Sequence, residues 1–153
     1  MSHFTEIEVD FDQKHEKELV AALEEQFGEG SVEVHENGAD LFGYQGDNRA
    51  KASPKSASYA PPCEIVIRRK HVGSAANDVG YKRSENGKYT AYVSEFDAGH
   101  TFTKPRQQAV AQNYGVAVAV KTLKAEGWKV HTQKLDNGSV KVVAKDQVKL
   151  KNW

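Results

Sequence analysis

The sequence is poor in the residues that staple or anchor a chain. It has one cysteine, Cys63, in 153 residues, so no internal disulfide can form and a reducing compartment is expected. No apolar run approaches the roughly 20 residues that a membrane helix requires. The opening Met1-Ser-His-Phe-Thr-Glu-Ile-Glu-Val9 is acidic and alternating, unlike a secretory signal. A cytoplasmic location with no membrane partner is the expectation. Also missing are G-x-S-x-G, H-E-x-x-H, a P-loop and a dinucleotide fingerprint. That absence argues against an enzyme, and neither a catalytic residue nor a cofactor is expected.

Net charge is zero as well, but the zero conceals a division. Residues 1–47 hold 13 acidic against 2 basic side chains, and residues 48–153 hold 8 against 19. The halves are therefore −11 and +11. Such polarity fits a basic nucleic-acid surface, or two halves that neutralise each other within one fold or between copies. Neither half has the look of a separate domain, which favours mutual neutralisation. A single domain over 1–153 is expected, with a mobile loop at 47–62 and an irregular tail at 145–153.

What is present is hairpin grammar. Asn86-Gly87 lies between Val79-Gly-Tyr-Lys-Arg83 and Tyr89-Thr-Ala-Tyr-Val93, and Asn-Gly tolerates the positive φ of a tight turn. A three-residue loop, Glu85-Asn86-Gly87, pairs Tyr81 with Ala91 and Val79 with Val93. Val79, Tyr81, Tyr89, Ala91 and Val93 then share one face. The same turn is expected at Asp136-Asn137-Gly138, pairing Val130 with Ala144 and Thr132 with Val142. It is expected again at Glu36-Asn37-Gly38, setting Val32 opposite Phe42. His3–Val9 reads as a further strand, and Cys63–Lys70 as a short apolar strand with a basic exit.

Two helices are predicted. Leu19, Leu23 and Phe27 recur every four residues after an Asp12 cap, and Gly28 or Gly30 stops that helix. The second begins at Thr103 or Lys104 with Pro105 in its first turn, carries Val110, Tyr114, Val118 and Leu123 along one side, and ends at Gly127. Ala98-Gly-His100 is expected to be a turn. The fold class is therefore α+β: an antiparallel sheet built from hairpins, with two amphipathic helices on one face. The opposite face is left to solvent, to the long loop or to a partner.

In this order the chain resembles the Ycf35 family, also called DUF1257, whose members occur in cyanobacteria, algal plastid genomes and bacteriophages. The resemblance runs from Met1-Ser-His-Phe4 through Phe42-Gly-Tyr-Gln-Gly46, Glu64-Ile-Val-Ile67 and Asp78-Val-Gly-Tyr81. It continues to Gly127-Trp-Lys-Val130 and Asp136-Asn-Gly-Ser-Val140. The 47–62 stretch and the tail depart from plastid-type members, which suits a phage or bacterial branch. The resemblance implies a fold and no activity.

Four kinds of site were weighed. His3, His35, His71, His100, His131 and Cys63 lack zinc-ligand spacing, so no metal site is expected. Cys63 has no activating neighbour in sequence and reads as structural, while Asp78, Glu95 and Asp97 flank the central hairpin as acids that cap turns. A metal-dependent enzyme around His3 and these carboxylates is the third reading. Arg68, Arg69, Lys70, Lys82, Arg83 and Lys88, with Tyr92 on an open face, describe a nucleic-acid surface, the alternative reading. The leading expectation is a non-catalytic adaptor. It would bind a protein partner or itself through the free sheet face and the long loop, with Tyr44, Tyr59, Tyr92 and Trp153 as anchors.

Overall fold

The computed structural model describes residues 3–147. Trp153 and most of the expected tail lie outside them. The fold is α+β, with a five-stranded antiparallel sheet in the order β1-β5-β4-β3-β2 and a separate two-stranded sheet, β6-β7. The strands are β1 (Phe4–Val9), β2 (Val32–Ala39), β3 (Cys63–Ile67), β4 (Val79–Arg83), β5 (Tyr89–Ser94), β6 (Lys129–Lys134) and β7 (Val140–Lys145). The helices are α1 (Glu16–Phe27), α2 (Arg69–Val72), α3 (Glu95–His100) and α4 (Lys104–Ala125).

The central hairpin has the register its apolar pattern requires. Tyr81 lies opposite Ala91, and Arg83 opposite Tyr89. The amide of Ser84 donates to Lys88 O at 2.9 Å across the Glu85-Asn86-Gly87 loop, where Gly87 takes a φ of 82°. The last hairpin repeats the device, pairing Val130 with Ala144 and Thr132 with Val142. It does not extend the main sheet, however. It stands apart beside α4, with its outward side chains in solvent.

Alternation puts Ile65, Ile67, Val79, Tyr81, Ala91 and Val93 on one face, where they form a core with Leu19, Leu23 and Phe27 of α1 and Val110 and Tyr114 of α4. Leu19 and Leu23 are completely buried, and burying each contributes about 1.5–3 kcal/mol. Asp12 caps a 3-10 turn leading into α1 by accepting from Lys14 N at 3.0 Å. At its far end α4 closes through Gly127 N to Lys124 O and Trp128 N to Leu123 O, both 3.0 Å. Those bonds satisfy carbonyls a helix end would leave unpaired.

Three expectations are corrected. The first concerns Glu36-Asn37-Gly38, which is not a turn. β2 runs straight through it and pairs with β3, Val32 opposite Ile67 and Ala39 opposite Cys63. The register shifts between Val34 and Ala39, and Gly38, at φ 81°, sits within this irregular stretch. A Cβ on Gly38 would stand 3.3 Å from the Pro62 side chain. Asn-Gly serves a bulge here because the neighbouring strand arrives from Pro62, beyond the reach of local sequence. Phe42 makes only an isolated bridge to Asn48.

The second concerns the sheet face opposite the helices, expected to be open: part of it carries the 47–62 stretch, of which residues 53–57 are exposed. That stretch holds a 3-10 turn at Arg49–Lys51, and Ala57 O accepts from Phe4 N at 2.9 Å. Arg49 is only 2% exposed, with its guanidinium 4.9 Å from the Phe4 ring and 2.9 Å from Asp47 Oδ2. Leu41, Ala60, Cys63, Val66 and Tyr92 close into a second core. The sheet face opposite the helices is therefore covered in part by the protein's own chain, while Glu6 and Glu8 of β1 on the same face stay exposed.

The third is Ala98-Gly-His100, which belongs to α3. Ser94 caps that helix by accepting from Asp97 N at 3.0 Å.

Candidate functional site

The covering segment hides one of the sheet's aromatic candidates and leaves another presented. Tyr92, read as an aromatic on an open face, is only 7% exposed and lies in the second core, its hydroxyl 3.3 Å from Glu6 Oε1. It cannot stack a base or anchor a partner. Tyr59 is half-buried within the covering segment. Tyr44 remains presented, with 44% of its surface exposed.

The six basic residues do not make one surface. Arg83 and Lys88 sit at the hairpin end of the sheet and are spent on acids. Arg83 forks onto Glu16 at 2.9 and 3.1 Å and onto Glu36 at 3.0 Å, while Lys88 pairs with Asp10. Its hydrogen bond to Glu36 raises the Arg83 pKa further and holds the Glu36 carboxyl below its usual range. Lys82 lies toward the covered face, reaching Pro62 O at 3.4 Å. With Arg68–Glu33 and Lys121–Glu18, these pairs join the acidic half of the chain to the basic half. The −11/+11 division is thus resolved in part inside the fold.

Arg68, Arg69 and Lys70 gather at the other end of the sheet, where β3 leaves for α2. There they border a cleft of about 720 Å³ with Phe42, Tyr44, Ala75, Ala76 and Asp78. Asp78 organises its floor. One carboxylate oxygen accepts from Phe42 N at 2.8 Å and Arg68 Nη1 at 2.9 Å, and the other accepts from Arg69 N at 2.7 Å. Arg68 also donates to Asp40 O at 2.9 Å and to Glu33, and lies 5.9 Å from the Phe42 ring. For Glu33, burial pushes the pKa up, but hydrogen bonds from His35 and Arg68 outweigh it and keep the carboxyl low.

The Tyr44 backbone is held from both sides. Its amide donates to Asn77 Oδ1 at 3.1 Å, and its carbonyl accepts from Arg69 Nη1. In the tight 43–47 turn the Asp47 carboxylate packs against Gly43, where an added Cβ would fall 2.5 Å from Asp47 Oδ1 and displace that side chain. Asn77 is anchored in turn by Asp97. That carboxylate accepts from Asn77 N at 2.9 Å, Ser94 Oγ at 2.7 Å and, through its other oxygen, Thr101 Oγ1 at 2.7 Å. A buried network thus fixes an exposed aromatic ring at the rim of an apolar cleft.

The remaining candidates have structural employment. Asp78 and Asp97 spend their oxygens on internal donors, and Glu95 lies 4.0 Å from His3 at the surface. Cys63 is wholly buried, and desolvation pushes its thiol up to about 12. Among the described residues no group of three His, Cys, Asp or Glu side chains converges as a metal site, and no helix is long and apolar enough to cross a membrane. Phe42, Asn77 and Ala76 escaped the sequence reading. The one signal available was the Phe42-Gly-Tyr-Gln-Gly46 stretch, whose glycines mark a turn demanding close backbone approach.

No family model, curated protein or solved structure matches this chain.

Proposed function

We propose that the protein is a non-catalytic adaptor, and that it captures its partner in the Tyr44 cleft rather than on a sheet face. The occupant we infer is a short acidic segment of another protein carrying one large apolar side chain. A single observation carries this reading: a pinned, exposed tyrosine stands at the rim of a cleft walled by Phe42, Ala75 and Ala76, beside basic groups not cancelled by acids. Among the described residues Lys70 meets no ion-pair partner, and the Arg69 guanidinium donates only to a backbone carbonyl. An aromatic and an arginine on the rim of a well-packed recess is the composition that anchors protein contacts. The acidic character of the occupant follows from complementarity to Arg69 and Lys70.

The family resemblance belongs to the same proposal, because Phe42–Gly46 and Asp78 carry it and also build this cleft. A cytoplasmic site of action, resting on the lone reduced thiol, belongs to it too. Selection of random peptides against the immobilised protein tests it. Sequences with Asp or Glu flanking a large apolar residue should be enriched, and that enrichment should vanish with Arg69→Glu/Lys70→Glu. Enrichment of basic or featureless peptides would refute the reading. Tight nuclease-sensitive binding of RNA or DNA, lost in the same variant, would favour the nucleic-acid alternative on these residues instead.

A further inference from the structure

A second cleft, unconnected with the Tyr44 site, lies on the helix-bearing face between the sheet and the first half of α4. Its volume is about 510 Å³, and Phe11, Tyr81, Ala91, Ala111, Tyr114 and Gly115 give it apolar walls. The space exists because α4 presents small residues there. Ala111 and Gly115 are one helical turn apart on the same side, and a methyl group built on Gly115 would meet nothing within 4 Å.

Tyr81 distinguishes this recess from an ordinary packing gap. The residue is only 3% exposed, its ring lies 6.3 Å from that of Phe11, and its hydroxyl has no hydrogen-bond partner among the described residues. The oxygen is not sealed from solvent, so water satisfies it in the free protein and a ligand acceptor would replace that water. The other three buried tyrosines have a partner within the chain: Tyr114 Oη accepts from Asp12 N at 2.9 Å, Tyr89 Oη donates to Glu16, and Tyr92 Oη donates to Glu6. Burial raises the Tyr81 pKa well above the usual phenol value, so the group stays a proton donor. Lys104 also borders the cleft and has no ion-pair partner among the described residues, whereas Asp10 is already engaged by Lys88. An apolar slot is thus supplied with one hydroxyl that no other described residue engages and one cation without an acidic partner among the described residues.

We propose that this cleft is a small-molecule site for a flat aromatic acid carrying an oxygen acceptor at the end away from its carboxylate. The ring lies between Phe11 and the Ala111–Gly115 side of α4. The acceptor oxygen takes the Tyr81 hydroxyl hydrogen, and the carboxylate pairs with Lys104. The volume suits a ligand of this size. Non-covalent binding is all that is implied, and it does not depend on the adaptor reading.

Fluorescence titration of the full chain with 6-hydroxy-2-naphthoate tests it, with 2-naphthoate as the analogue lacking the oxygen. The hydroxylated probe should bind saturably at one site, about five- to tenfold more tightly than the analogue. Tyr81→Phe should erase that difference. Lys104→Gln should weaken both probes, and Gly115→Leu, which fills the slot, should abolish binding of both. Arg69→Glu/Lys70→Glu should change nothing. Thermal melts check that each variant stays folded, and Tyr81→Phe should melt no lower than the parent because it breaks no bond. Absence of saturable binding at 1 mM probe would overturn the proposal. So would binding indifferent to Gly115→Leu in a folded protein, or an equal preference for the two probes in the parent.

Discussion

Asp78 and Arg68 meet at 2.9 Å beneath the Tyr44 cleft, and the same carboxylate holds the Phe42 and Arg69 amides. One side chain therefore ties the strand preceding α2, the start of β4 and the Phe42 segment into a single rigid corner. Removing one partner of a buried pair leaves the other charge uncompensated, which typically costs about 3–5 kcal/mol. Arg68 keeps some contact with solvent and with Glu33, which moderates that figure. Asp78→Ala should destabilise the protein by about 3 kcal/mol in urea denaturation, well beyond Arg68→Ala. A loss under about 1 kcal/mol would show that the corner is not held this way.

The Ala75 backbone at the cleft rim has a φ of 57°, in the left-handed region. For a residue with a Cβ this costs about 1–2 kcal/mol. Ala75→Gly should therefore stabilise the fold by about 1 kcal/mol, less whatever chain entropy glycine adds to the unfolded state. Guanidinium melts compared at equal slope measure it.

Gly80 faces the second core, where an added Cβ would lie 2.6 Å from Cys63 Sγ and 3.0 Å from Leu41 Cδ1. Overfilling a packed interior costs about 1–3 kcal/mol. Gly80→Ala should show a loss of that size, and Cys63→Ala in the same chain should return part of it. Additive losses in the double mutant would mean that the two sites do not touch.

Alkaline pH should weaken this protein. The Cys63 thiol is shifted from 9.0 to about 12 by burial, and Tyr81 is raised for the same reason. Below pH 9 both states keep the thiol protonated, so it contributes no pH dependence. Between pH 9 and 12 only the unfolded chain releases the proton, so stability falls as pH rises. Thermal melts should drop steadily above pH 9 and drop less in Cys63→Ala. In native protein at pH 8 a thiol reagent should leave Cys63 unmodified until urea opens the fold.

Much of this architecture is written in short-range sequence. Asn86-Gly87 and Asn137-Gly138 close the hairpins their flanking valines and tyrosines demand, and Leu19, Leu23 and Phe27 mark the buried side of α1. Asn37-Gly38 carries the same dipeptide and does something else, because the strand beside it enters through Pro62, with Ala39 paired to Cys63, 24 residues on. The 47–62 stretch reads as polar and mobile, yet Arg49 is buried on the Phe4 ring. Nothing within the stretch announces that contact. The cleft was half legible: Tyr44 and Arg68–Lys70 stood out as exposed or charged. Asn77 did not, and Asp97 stood out only as an acid flanking the central hairpin, since buried polar networks have no period in sequence.

The adaptor account is tested most directly by placing a photo-crosslinking side chain at Tyr44 in the native cells and a control at Glu25, on the solvent side of α1. The account predicts a discrete crosslinked protein from position 44 alone, joined through an acidic, apolar-anchored segment and lost with Arg69→Glu/Lys70→Glu. Equal capture from both positions, or crosslinks from Tyr44 that survive the charge reversal, would contradict it. A second copy of this chain as the captured partner would replace the adaptor with a self-assembling protein.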